Sequence, residues 1–276
     1  MNPLDPTSKP SSVPQFENDT DGPSVADGLR PNAPMPPTGR LVAWALGAGL
    51  LAGVASWLIG ELARDTFRPP LYQQNVMGHV LMKATFADQS SADFRNATLA
   101  FAVLGGFMGG VLGIAGGLAA RRSTAAGTMA AAVGVVFGSL VGAICSLGLL
   151  PVYFRALDVA QEQLSRDLVL PLMIHSGIWA ACGLAAGIVF GLGLGVGMAQ
   201  VARSGIGGLI GAALGACIYE LTGAMVFADH MTTNPLSLTW STRLLARLLV
   251  ATLSAVMAAV FVSTAAGRTD GSIRTP

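Results

Sequence analysis

Charge is what this chain has least of. Only 11% of its 276 residues are Asp, Glu, Lys or Arg, 52% are hydrophobic, and the mean hydropathy is +0.60. A water-soluble domain carries about a quarter charged residues, so water is not the main solvent here. Sixteen basic residues against fifteen acidic ones leave a formal charge of +1. No basic surplus exists from which to build a nucleic-acid footprint, and nucleic acid is excluded as a partner.

Reactive side chains are equally sparse. The three cysteines, Cys145, Cys182 and Cys217, lie far apart inside apolar runs and match no metal or redox spacing. They read as small buried side chains. His79, His175 and His230 are isolated, and none falls in the H-E-x-x-H pattern of an intramembrane metalloprotease. The glycines recur through apolar stretches without a following Lys-Ser or Lys-Thr, so no phosphate-binding loop is present. No catalytic residue, metal or cofactor is expected, and an enzyme is the least supported class.

What the chain does have is apolar length. Residues 1–39 hold nine of the fifteen prolines and five acidic residues, with no stretch able to form a core, and read as a disordered tail. The first apolar run starts only at Leu41 without a basic region before it, which argues against a cleaved signal. Crossing a bilayer takes about 20 apolar helical residues. Six segments qualify: 41–60, 97–119, 125–149, 171–199, 205–227 and 244–266. The fold class that follows is an all-α polytopic membrane bundle, with a transmembrane domain over 40–268 and a short tail at 269–276.

The connections around Arg121-Arg122-Ser123 and Arg203-Ser204 are short, which makes helices two and three, and four and five, antiparallel hairpins. The other three connections begin at Arg68-Pro69-Pro70, Leu150-Pro151 and Asn234-Pro235 and fall together on the opposite side. Their semi-polar stretches, such as Pro151 to Leu170, suit an interfacial helix or a solvated loop. Arg40, Arg121, Arg122, Arg203 and Arg268 flank the short-loop side with few acids nearby. That bias puts both termini in the cytoplasm, in a cell inner or plasma membrane.

A shift of 81 residues aligns Gly106 with Gly187, Gly110 with Gly191, Gly127 with Gly208, Gly134 with Gly215 and Arg166 with Arg247, and Gly60 joins at a shift of 82. Three helix, loop, helix units are therefore expected, related by an axis along the membrane normal. Mitochondrial carriers are similar in outline, being three such units. Their Pro, acid and base at the ends of odd helices are not reproduced by Gly60-Glu61-Leu62-Ala63-Arg64, Pro151-Val152-Tyr153-Phe154-Arg155 or Phe227-Ala228-Asp229-His230. No membership follows.

Helices one to five hold 29 of the 35 glycines, many at a period of four, as in Gly105, Gly109, Gly113 and Gly117. In lipid, helices associate by close backbone approach, which glycine permits. Packing within the subunit, or a homo-oligomer through the glycine faces, is the expectation beside contact with the lipid bilayer. Helix six has no glycine and offers Ala251, Ala255 and Ala259 instead, which places it at the periphery or in a looser contact.

Ionisable residues within the bilayer are functional candidates by default. Glu220, His175, Arg243 and Arg247 all fall near the long-loop ends of their helices. This common depth suggests a binding cluster in which Glu220 accepts from Arg247 beside His175 and Tyr219. Trp44, Trp57, Trp179 and Trp240 fall near helix ends and fit interfacial anchoring. The leading functional expectation is a non-enzymatic structural or interaction role. The alternative is a small-solute or proton-coupled transporter using the cluster near Glu220.

Overall fold

The computed structural model describes residues 36–76, 79–163, 169–227 and 234–270. The proline-rich segment up to residue 35, Arg166, Asp229 and His230 lie outside them.

Six helices form: α1 (Thr38–Leu62), α2 (Phe86–Ala119), α3 (Thr124–Gln163), α4 (Val169–Leu194), α5 (Met198–Val226) and α6 (Trp240–Asp270). Each supplies at least 25 residues apolar enough to cross a bilayer. The chain is thus a polytopic helical membrane bundle, and all six expected segments are helices. Two long connections differ from the sequence reading. After α1, Pro69 and Pro70 block a further helix. The chain instead forms an antiparallel hairpin of β1 (Tyr72–Val76) and β2 (His79–Lys83), with Tyr72 opposite Lys83. After helix three no break occurs at Pro151, and α3 continues through it to Gln163. Neighbouring helices allow such a proline, because the polar groups it frees find other partners.

The second short turn also moves. It lies at Gly195–Gly197, where Gly195 takes φ +70°, and α5 begins at Met198. Arg203 is therefore an exposed residue on the second turn of α5, and Ser204 beside it is buried. The apolar run hid this turn, because only the glycine's left-handed backbone ends the helix there.

Helices alternate between inside and outside. α4 packs on both α2 and α6, and α2 meets α6 at a small contact. α1 sits between α2 and α6, α3 between α2 and α4, and α5 between α4 and α6. The outer helices turn large apolar side chains outward, including Leu51 and Leu58 of α1, Val136 and Ile144 of α3, and Leu221 and Met225 of α5. That much exposed hydrocarbon is stable only against lipid.

The peripheral position expected of helix six is corrected by this arrangement. α6 has Val250, Ala251, Ala255, Ala258, Ala259 and Val262 fully buried. Its partners supply the glycines: a Cβ on Gly49 of α1 would lie 2.7 Å from the Thr252 Cα, and one on Gly215 of α5 would lie 2.9 Å from the Val250 Cα. Close approach needs a glycine on one face only.

Within the hairpins, Gly109 packs against Gly134 across α2 and α3, and Gly183 against Gly208 across α4 and α5. Both members of the second pair follow the first by 74 residues. Gly113 on Ala130 and Gly187 on Ser204 repeat the same interval. The contacts thus repeat at 74, seven residues short of the sequence match at 81. Seven residues are about two helical turns, so the longer shift aligns the same helix faces one heptad out of register.

Candidate functional site

Four helices bring polar side chains to the long-loop end of the bundle. His175 is on the second turn of α4, where it is 1% exposed. Its Nδ1 is hydrogen-bonded to Glu220 Oε1 on α5. Trp179, one turn along α4, stacks on the imidazole at 5.3 Å between centroids, and Tyr219 meets Trp179 edge-on at 5.5 Å. Trp179 is 5% exposed, which corrects its assignment as an interfacial anchor. Trp44 and Trp240 are exposed.

The two arginines of α6 behave differently from each other. Arg243 donates from Nε and Nη2 to the two carboxylate oxygens of Glu61 at 2.6 and 2.8 Å. Its Nη1 donates to the Ser237 and Leu238 carbonyls, both at 2.7 Å. Four of its five donor hydrogens are thereby used. Arg247, one turn deeper and 8% exposed, donates to the Ser56 carbonyl of α1. The expected bond from Arg247 to Glu220 does not form. Arg247 lies on the α1 side of α6, where Gly60 makes room for its guanidinium, and Glu220 turns to α4.

These groups surround two adjoining spaces. A cleft of about 340 Å³ opens at the long-loop end, lined by Arg64, Asp93, Asn96, Tyr153, Arg243 and Arg247 among others. Beneath it, a void of about 30 Å³ is lined by Phe101, Leu104, His175, Trp179, Tyr219 and Arg247. Ala100, Arg243, Arg247 and the 234–237 segment line both spaces. The void falls where α2, α4 and α6 converge. Phe101 and His175 are related by the 74-residue interval and face the same void from α2 and α4, so corresponding positions of the two units meet at the centre.

Of the sequence candidates, His175 and Arg247 share the void and Glu220 stands behind His175. Sequence reasoning missed Glu61 as a partner of Arg243, because 182 residues separate them. The 81-residue shift sets Glu220 opposite Ser139. At the observed interval the counterpart is Ser146, which is buried and bonds back to the Gly142 carbonyl at 2.6 Å. Among the described residues, no three His, Cys, Asp or Glu side chains gather as metal ligands.

Chemically the void is a small space lined largely by apolar side chains, with His175, Tyr219, Arg243 and Arg247 among its few polar groups and Glu220 bonded behind His175. No protein-family model, no curated protein and no solved structure matches the chain.

Proposed function

We propose that this membrane protein is a non-enzymatic carrier that admits a small polar solute to the centre of its bundle from the long-loop side. One observation supports this above all: the cleft of about 340 Å³ leads down to buried polar side chains between the inner helices. Small-molecule sites are clefts of about this size with a few convergent polar groups. Inner helices that meet near a pseudo-symmetry axis are also where transporters of repeated units hold their substrates. At the opposite end, Gly116 meets the Phe190 carbonyl and Gly193 the Gly113 carbonyl, with added Cβ atoms only 2.5 Å away. The bundle is shut there, so passage requires α2 and α4 to part at that end.

The structural or interaction role, the leading expectation from the sequence, becomes the second reading. The glycine stripes favour it, because they form a rigid scaffold inside one chain. In either reading the short-loop end, with Arg121 and Arg122 at the first turn and Arg203 near the start of α5, faces the cytoplasm, and the membrane is the cell inner or plasma membrane.

The two readings separate in an accessibility experiment. Cys145, Cys182 and Cys217 are replaced by Ser, Ala100 by Cys, and membrane-impermeant maleimide is added from each side of oriented vesicles. A carrier exposes Ala100→Cys from the long-loop side and, in its other state, from the short-loop side. Labelling from the long-loop side alone, unchanged by any solute gradient, favours the scaffold role.

A further inference from the structure

We infer that the inner void is a binding site for a single small anionic group, a halide or the carboxylate head of a larger solute, and that its occupation is linked to uptake of one proton by the His175–Glu220 pair. The inference rests on the carrier reading for its route of entry but not for its chemistry.

Charge comes first. Of the two guanidinium groups on α6, Arg243 is bonded to both oxygens of the Glu61 carboxylate, whereas Arg247 donates to a neutral carbonyl. Arg247 keeps donors beyond its one bond to the Ser56 carbonyl, since a guanidinium has five. An arginine in a low-dielectric site with incomplete pairing attracts an anion strongly.

His175 is 1% exposed and lines the void, yet its Nε2 has no hydrogen-bond partner. A buried polar atom without a partner is costly unless something binds it. The void of about 30 Å³ exceeds the space a water molecule requires and suits one small head group. The cleft above it accommodates the remainder of a solute.

Proton linkage follows from the imidazole's two nitrogens. With Glu220 ionised and accepting from Nδ1–H, a neutral imidazole leaves Nε2 a bare lone pair and offers an anion no donor. Adding one proton gives either imidazolium beside carboxylate or neutral imidazole beside carboxylic acid. In both forms Nε2 carries hydrogen and donates to the anion. The proton also balances the anion's charge, so taking up the two together adds no net charge to the site. The other titratable or charged groups around His175 are Tyr219 of α5, Arg243 and Arg247 of α6, and Tyr153 of α3 within electrostatic reach of Glu220. α2 presents only Ala100, Phe101 and Leu104.

The test uses purified full-length protein in detergent, with Trp44, Trp57 and Trp240 replaced by Phe so that Trp179 reports on the void. Chloride, acetate and pyruvate are titrated separately over a range of pH. Saturable fluorescence changes are expected, with affinity falling by about tenfold per pH unit above the point where the free pair loses its proton. Chloride binding alone assigns a halide site, and carboxylate binding alone assigns the head of an organic acid. Arg247→Gln should weaken binding by about tenfold or more, with Arg247→Lys largely retaining it in a folded protein. In Glu220→Gln the amide can donate to Nδ1 and leave hydrogen on Nε2, so anions should bind without pH dependence and without proton uptake. No saturable response to any of the three anions, or a pH dependence unchanged in Glu220→Gln, overturns the inference. Neither result bears on two-sided labelling of Ala100→Cys, so the carrier reading stands or falls separately.

Discussion

Arg243 grips both oxygens of Glu61 and, with the same guanidinium, the carbonyls of Ser237 and Leu238. One side chain thus ties the last helix of the bundle to the first and anchors the segment that separates cleft from void. Glu61→Gln leaves Arg243 largely buried with half its partners neutralised. A loss of about 3 kcal/mol is expected, the low end for breaking a buried pair because the Glu61 side chain is 26% exposed. Thermal unfolding should show the loss, and amide exchange should quicken at 237–239. Unchanged exchange there would remove Arg243 as the anchor.

The glycine contacts predict a sharp positional contrast. A Cβ on Gly109 would lie 2.7 Å from the Gly134 carbonyl carbon, whereas one on Gly148 meets nothing within 4 Å. Gly109→Ala should cost about 1–3 kcal/mol through overpacking. Gly148→Ala should be neutral or slightly stabilising by helix propensity. Size-exclusion profiles after heating in detergent would rank the two, and equal tolerance would contradict the packing described.

Gly60 offers a way to disturb Arg247 without removing its charge. An added Cβ would lie 2.7 Å from the Arg247 Cζ, so Gly60→Ala must displace the guanidinium. Anion affinity measured through Trp179 should fall, whereas Gly39→Ala, with nothing within 4 Å, should leave it unchanged. Equal affinities in both variants would separate Arg247 from the ligand.

Topology supplies a further check. Single cysteines at Thr124, beside the first short turn, and at Leu238, in the exposed part of the last long connection, lie at opposite ends of the bundle. In intact cells an impermeant thiol reagent should label Leu238→Cys and spare Thr124→Cys. The reverse pattern would invert the orientation drawn from the short-loop arginines.

The six membrane helices were legible in the sequence because spanning hydrocarbon demands long apolar runs, and those runs survive any detail of packing. Turns were less legible. The Arg203-Ser204 pair looks like a polar break, yet the helix ends at Gly195, where backbone conformation rather than polarity decides. The repeat was visible but one heptad out, since glycines every fourth residue match themselves at several shifts. Helix six was misplaced because its composition says nothing about the glycines that α1 and α5 bring to it. In the site, common depth correctly gathered His175, Glu220, Arg243 and Arg247 at one end of the bundle. Depth does not specify which way a side chain turns around its helix, and the pairs Glu220–His175 and Glu61–Arg243 depend on that rotation.

Exchange of radiolabelled chloride and pyruvate into proteoliposomes tests the carrier reading and its site together. Uptake of at least one of them above protein-free vesicles is expected, accelerated by an acidic exterior, strongly reduced in Arg247→Gln and largely kept in Arg247→Lys. Uptake of neither anion by folded wild-type protein, or uptake equal in Arg247→Gln, would contradict a solute path through the centre of the bundle at Arg247.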